Sequence, residues 1–151
     1  MDMIGNMQDS TLIIGGVGTS QLFEPMLDSL SKDSGLKFEF NQAGYGPSDH
    51  ASFYSENIPV LFFFTGDFEN HYHLPEDDWQ TINTQGERQI LDVIYDLTIK
   101  ISRENSKPMF TLSGPKKQKT QRTNQKVKLG IIPHYGVTVQ GLKIDKIYDP
   151  N

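Results

Sequence analysis

The sequence predicts an α/β fold in which helices pack on a mixed, largely parallel sheet, and three observations carry the prediction. First, "TLIIGG" (11–16) is an apolar run closed by glycines, as a buried strand is, and "SQLFEPMLDSLSK" follows with Leu22, Phe23, Met26, Leu27 and Leu30 on one helical face. Second, "LKFEF" (36–40) reads as another strand, and "IPVLFFF" (58–64) is apolar throughout, the pattern of a central strand covered on both faces. Third, the chain turns helical again from Thr84: Thr84 and Glu87 have capping-box spacing, and Ile90, Leu91, Ile94, Leu97 and Ile101 recur as a core-facing stripe. The intervening "GGVGTS" (15–20) lacks the spacing and the lysine of a phosphate loop, and Gln21 stands where a dinucleotide fingerprint has its third glycine. It is expected to be a tight strand-to-helix turn.

With 151 residues, 36% of them hydrophobic, the chain is long enough to bury a core. No apolar run approaches the roughly 20 residues of a membrane helix, so no membrane span is expected. Cysteine is absent, so any zinc must sit on His, Asp or Glu. The opening "MDMIGNMQDS" has no basic segment leading into an apolar stretch, and no signal peptide is visible.

The net charge of −5 is unevenly spread: residues 1–105 carry 17 acidic against 5 basic side chains, and residues 106–151 carry 9 basic against 2 acidic. The two parts read as different units. Between them, residues 106–126 form a basic linker, with six Lys or Arg and no acid from Lys116 to Lys128. No aromatic side chains interleave with these charges to stack on bases, so nucleic acid is not expected as a partner.

The segment "NHYHLPEDDWQTIN" (70–83) collects His71, His73, three consecutive acids and the only tryptophan just past the carboxyl end of the strand "IPVLFFF". Binding and catalytic groups usually gather at that end of a strand in α/β proteins. A second cluster, "GYGPSDHASF" (44–53), brings Ser48, Asp49 and His50 together behind a loop of glycines and proline. Taken alone, Asp49 and His50 read as a capped turn.

In order, these segments resemble the second half of the catalytic domain in metallopeptidase family 28, the zinc-dependent aminopeptidases and their glutaminyl cyclase relatives. The resemblance rests on Ser48–Phe53 (Ser-Asp-His-x-x-Phe), on Thr65–Gly66 at a strand end, on Tyr72–Asp77 (Tyr-His-x-x-x-Asp), and on the initial "DMIG". It covers roughly residues 1–105, and implies part of a three-layer αβα zinc-peptidase domain. It also implies a co-catalytic site of two Zn²⁺ ions, with Asp2 and His73 as metal ligands. Tyr72 aligns with a tyrosine that hydrogen-bonds the tetrahedral oxyanion in some relatives, and Asp77 or Asp78 is a candidate acceptor behind His73. His50 and His71 match no ligand and are expected to be structural or to line the substrate site.

The implied substrates are peptide or protein N-termini, and the implied reaction is hydrolysis of the first peptide bond. Glutaminyl cyclases usually place tryptophan before the ligand histidine, and Tyr72 stands there instead, which favours hydrolysis. The family's remaining ligands and its general-base glutamate precede the Asp-Met-Ile-Gly element, so the chain is expected to be an inactive fragment of a longer enzyme. A glutaminyl cyclase-like enzyme and a degenerate, non-catalytic peptide-binding or interaction module are the alternatives. By the same resemblance the compartment is expected to be periplasmic or extracellular, whereas the oligomeric state is left open.

Residues 127–151 show strand-type alternation in "LGIIP" and "LKIDKIY" around a loop with Gly136 and Gly141. They resemble the opening strands of a PDZ-like module, which many bacterial members of the family carry after the catalytic part. Such a module binds extended peptides at a sheet edge.

Overall fold

A computed structural model describes residues 1–65, 75–116, 131–133 and 144–147. Its elements are β1 (Thr11–Gly15), α1 (Phe23–Ser34), β2 (Lys37–Asn41), α2 (His50–Ser55), β3 (Phe62–Phe64), α3 (Thr84–Ser102), β4 (Ile131–Pro133) and β5 (Ile144–Ile147). Short 3₁₀ turns lie at Val17–Thr19 and Trp79–Thr81.

The first sheet has the order β2-β1-β3. β1 pairs with β2 in parallel, Leu12 opposite Phe38 and Ile14 opposite Phe40, and with β3 antiparallel, Ile14 opposite Phe63. The α/β class is as expected; the sheet is mixed, with one parallel and one antiparallel pair among the described strands, rather than largely parallel. The run 58–64 is shorter as a strand than its composition suggests, and β1 takes the middle place instead. The reason is local. The buried Thr19 hydroxyl lies 2.9 Å from the Val60 carbonyl and accepts the Val60 N–H at 2.9 Å, so this peptide is tied to the turn after β1 rather than to a strand ladder.

That turn forms as the glycines anticipate. Gly16 has φ 79°, a left-handed conformation, and a β-carbon there would lie 2.3 Å from the Val60 carbonyl oxygen. The chain then enters α1, whose Pro25 sits in the first turn, where a missing N–H costs no helical bond. Phe23, Leu27 and Leu30 are buried as the pattern requires, and Gly35 ends the helix at φ 70°.

Leu12, Ile14 and Phe63 share one face of the sheet and join Leu27, Leu30, Ile90, Val93 and Leu97 in a single core, so α1 and α3 cover that face. Each fully buried Leu or Ile in this core contributes on the order of 1.5–3 kcal/mol relative to exposure. Two details of α3 depart from the sequence reading. The buried stripe is Ile90, Val93 and Leu97, with Ile94 and Ile101 partly covered, whereas Leu91 is 43% exposed. The cap is Asn83 rather than Thr84: its side-chain oxygen accepts the Gly86 N–H at 2.9 Å. Asn caps as well as Thr does, and here it also has partners in the N-terminal segment.

β4 and β5 pair antiparallel, with a register shift between Ile132 and Pro133. The two strands expected in the tail therefore form. Proline has no N–H for a ladder, and an irregularity at Pro133 is the usual accommodation. Residues 107–116, the first part of the expected linker, are hydrogen-bonded to the α/β unit: Thr111 N–H donates to Thr19 O at 2.8 Å and Gly44 N–H to Ser113 O at 2.9 Å. The remainder of that linker, 117–126, lies outside the described residues. No helix among the described residues is long and apolar enough to cross a membrane.

Candidate functional site

Asp2 is positioned by a backbone hydrogen bond to β3. Its N–H donates to Phe63 O at 3.0 Å, and the Thr65 hydroxyl donates to the Met3 carbonyl, which aligns residues 2–3 with the carboxyl end of β3. Met3 adopts φ 53°, a left-handed conformation uncommon outside glycine, so the chain turns sharply beside Asp2. Asn83 fastens the next few residues: its N–H donates to Gly5 O at 2.8 Å and its side-chain amide to Met7 O at 2.7 Å. One residue thus caps α3 and anchors the segment that carries Asp2. Sequence reading missed Asn83, and its only signal was the Asn immediately before the helix.

The exposed Asp2 carboxylate accepts a hydrogen bond from Ser48 Oγ at 3.3 Å. Two segments 46 residues apart are thereby brought together, the "DMIG" element and the Ser-Asp-His element, both singled out in the sequence. Asp49 precedes α2 without capping it through its side chain. Its backbone is already helical (φ −56°, ψ −29°), whereas a capping residue needs extended backbone to aim its oxygen at the first free N–H groups.

His50 opens α2, and its ring stacks on Phe62 at 4.4 Å and 21°; Phe62 in turn stacks on Phe64 at 5.9 Å and 21°. His50 Nδ1 is buried and has no hydrogen-bond partner among the described residues. Burial lowers the His50 pKa below its usual 6.5, the Met1 ammonium group lowers it further, and Asp49 opposes both. The His50 ring thus joins Phe62 and Phe64 in an aromatic wall, a row of stacked rings beside β3.

His71, Tyr72 and His73 lie outside the described residues. Of the acids after them, Asp78 has a local role: Oδ1 accepts the Trp79 N–H at 2.7 Å and caps the 3₁₀ turn. With its amide turned to satisfy both neighbours, Gln80 donates to Asp78 Oδ2 and accepts from Trp79 Nε1, each at 3.1 Å. Both Asp78 oxygens are engaged within their own turn, and Asp77 and Asp78 are both exposed.

An exposed carboxylate oriented by a hydroxyl suits a metal ligand. A zinc site, however, needs three or four protein ligands. Among the described residues no group of three or more His, Asp or Glu side chains converges. The described donor set does not make a zinc site by itself.

No curated protein and no solved structure matches the chain. The model of Peptidase family M28 matches residues 1–98, which span Asp2, Ser48, the aromatic wall and all but the last turn of α3. With about two thirds of its length matched, including both segments that meet at Asp2, the chain belongs to Peptidase family M28.

Proposed function

We propose that this chain belongs to a zinc-dependent aminopeptidase and supplies two of its metal ligands, Asp2 and His73. The single observation that carries the reading is the family match across residues 1–98, in which the ligand-type Asp2 is held by Ser48 of the Ser-Asp-His element. Zinc, when bound, would supply Lewis-acid activation of a peptide carbonyl and of water. The chain's own residues have narrower tasks. Ser48 holds one Asp2 oxygen. The Tyr72 hydroxyl would donate a hydrogen bond to the oxyanion. The His50–Phe62–Phe64 wall keeps an apolar border at the end of β3.

In the same reading, residues 127–151 begin a PDZ-like module, the whole domain has three αβα layers, and the compartment is periplasmic or extracellular. The test uses the product of the complete reading frame that contains these residues. It should release p-nitroaniline from aminoacyl-p-nitroanilides, lose that activity to a chelator, regain it with zinc, and lose it in Asp2→Ala and His73→Ala. The present chain alone should release none. Cyclisation of N-terminal glutamine without peptide hydrolysis would assign the protein to the cyclase branch instead.

A further inference from the structure

The family match ends within α3, yet the chain beyond α3 is built into the fold. Tyr54 is the hub. It is fully buried on α2, its ring packed against Gly44 so closely that a β-carbon on that glycine would lie 2.3 Å from the ring. The Tyr54 hydroxyl lies 2.8 Å from the Ser113 carbonyl and 3.0 Å from that of Gly114, and it accepts the Ser113 N–H at 3.0 Å. The phenol therefore uses both its donor and its acceptor capacity on two consecutive residues of a segment 59 and 60 positions away.

The same segment reaches the loop that leads to Ser48. Ser113 Oγ donates to Gln42 O at 2.7 Å, and Ser113 O accepts the Gly44 N–H at 2.9 Å. Further ties lie on either side: Thr111 N–H to Thr19 O at 2.8 Å, Ser55 Oγ to Lys116 O at 3.1 Å, and Lys116 Nζ to the Asn57 side chain. Phe110 packs against the Tyr54 ring at 5.6 Å. Few of these contacts are apolar; Met109 and Leu112 point outward, 78% and 63% exposed. The segment is held by polar ties that can release together, unlike a core element held by burial.

We propose that residues 107–116 are a strap, tied at Thr19, Gln42, Gly44 and Tyr54, that couples the chain following Lys116 to the loop carrying Ser48. A displacement of the chain beyond Lys116 releases Ser113, and release of Ser113 removes two of the bonds that fix Gln42–Gly44, four to six residues ahead of Ser48. The coupling is a two-position device: strap docked and loop ordered, or strap free and loop loosened. It rests on geometry alone and stands whether or not the protein is a peptidase.

The test is amide hydrogen exchange by NMR on the full 151-residue chain. Tyr54→Phe keeps the buried ring and removes the hydroxyl. It should speed exchange at Ser113, Thr111 and Gly44 by about tenfold or more, as expected for losing a shared pair of hydrogen bonds. It should also shift the Ser48 and Asp2 resonances, hasten trypsin cleavage after Lys116, and leave the α1 and α3 amides unchanged. Thr111→Pro removes the tie to Thr19 while keeping the Tyr54 hydroxyl, and should speed exchange at Ser113 and Gly44 in the same way, proline itself having no amide to follow. Faster exchange at 107–116 with Gly44 and Ser48 unmoved in both variants would overturn the coupling. A uniform increase through α1 and α3 would overturn it too, because the hydroxyl would then act on the whole fold.

Discussion

Replacing Thr19 by Val tests how the turn after β1 shortens β3. Thr19 is fully buried, and its hydroxyl serves the Val60 N–H at 2.9 Å while donating to Gly16 O at 2.7 Å or Val60 O at 2.9 Å. One hydroxyl proton can serve only one of these carbonyls at a time. Gly16 O also accepts the Thr19 N–H at 2.9 Å, so it stays satisfied in the variant. The Val60 N–H does not. A buried donor left without a partner costs about 1–3 kcal/mol, and the lost Val60 carbonyl contact brings the expectation to about 2–3 kcal/mol. For a unit of this size that lowers Tm by roughly 8–20 °C.

Thr19→Ser supplies the control, since it keeps the hydroxyl and loses one buried methyl, a cost of about 0.5–1.5 kcal/mol by analogy with Ile→Val. Urea unfolding followed by far-UV circular dichroism, with equal slopes for all three proteins, measures both. If the hydrogen bonds decide, Val ranks below Ser; if packing decides, the order reverses. A Val variant as stable as the Ser variant or more so would rule out the hydroxyl as the cause of the short strand.

Two further outcomes rest on the same geometry. Gly44→Ala places a β-carbon 2.3 Å from Tyr54 Cδ2 and 2.5 Å from Thr19 Cγ2, and should lower stability by about 1–3 kcal/mol in a thermal melt, the usual cost of overpacking. His50, with its pKa lowered chiefly by burial, takes up its proton more readily in the unfolded chain, so stability should fall as pH drops through 6.5 and level off below the folded-state value. The difference between wild type and His50→Asn in urea midpoints from pH 8 to pH 5 checks the sign.

Most of the fold is legible in the sequence because it rests on repeated apolar spacing. Leu12 and Ile14 in β1, and Phe23, Leu27 and Leu30 in α1, are buried where their periods put them. What escaped depends on single polar contacts. The choice of Val93 over Leu91 turns on the exact rotation of α3, which its Asn83 cap and the tie from Asn83 to Met7 set. The shortening of β3 comes from one hydroxyl 41 residues earlier. The strap, KPMFTLSGPK, mixes Lys, Pro, Gly and Ser with Met, Phe, Thr and Leu and reads as a linker, because nothing in its own residues announces Tyr54. At the candidate site, motifs single out Asp2 and the Ser-Asp-His element, and the structure adds the Asp2–Ser48 contact; the anchoring by Asn83 carries no motif.

Zinc titration of this chain decides whether it holds part of a metal site or a whole one. Affinity depends on ligand number and a preformed arrangement, and the proposed reading supplies only Asp2 and His73. Isothermal titration calorimetry should show weak, unsaturated heats that change little in His73→Ala. Tight binding at a fixed stoichiometry, abolished by His73→Ala, would contradict the partial-site reading and show that this chain encloses a complete site.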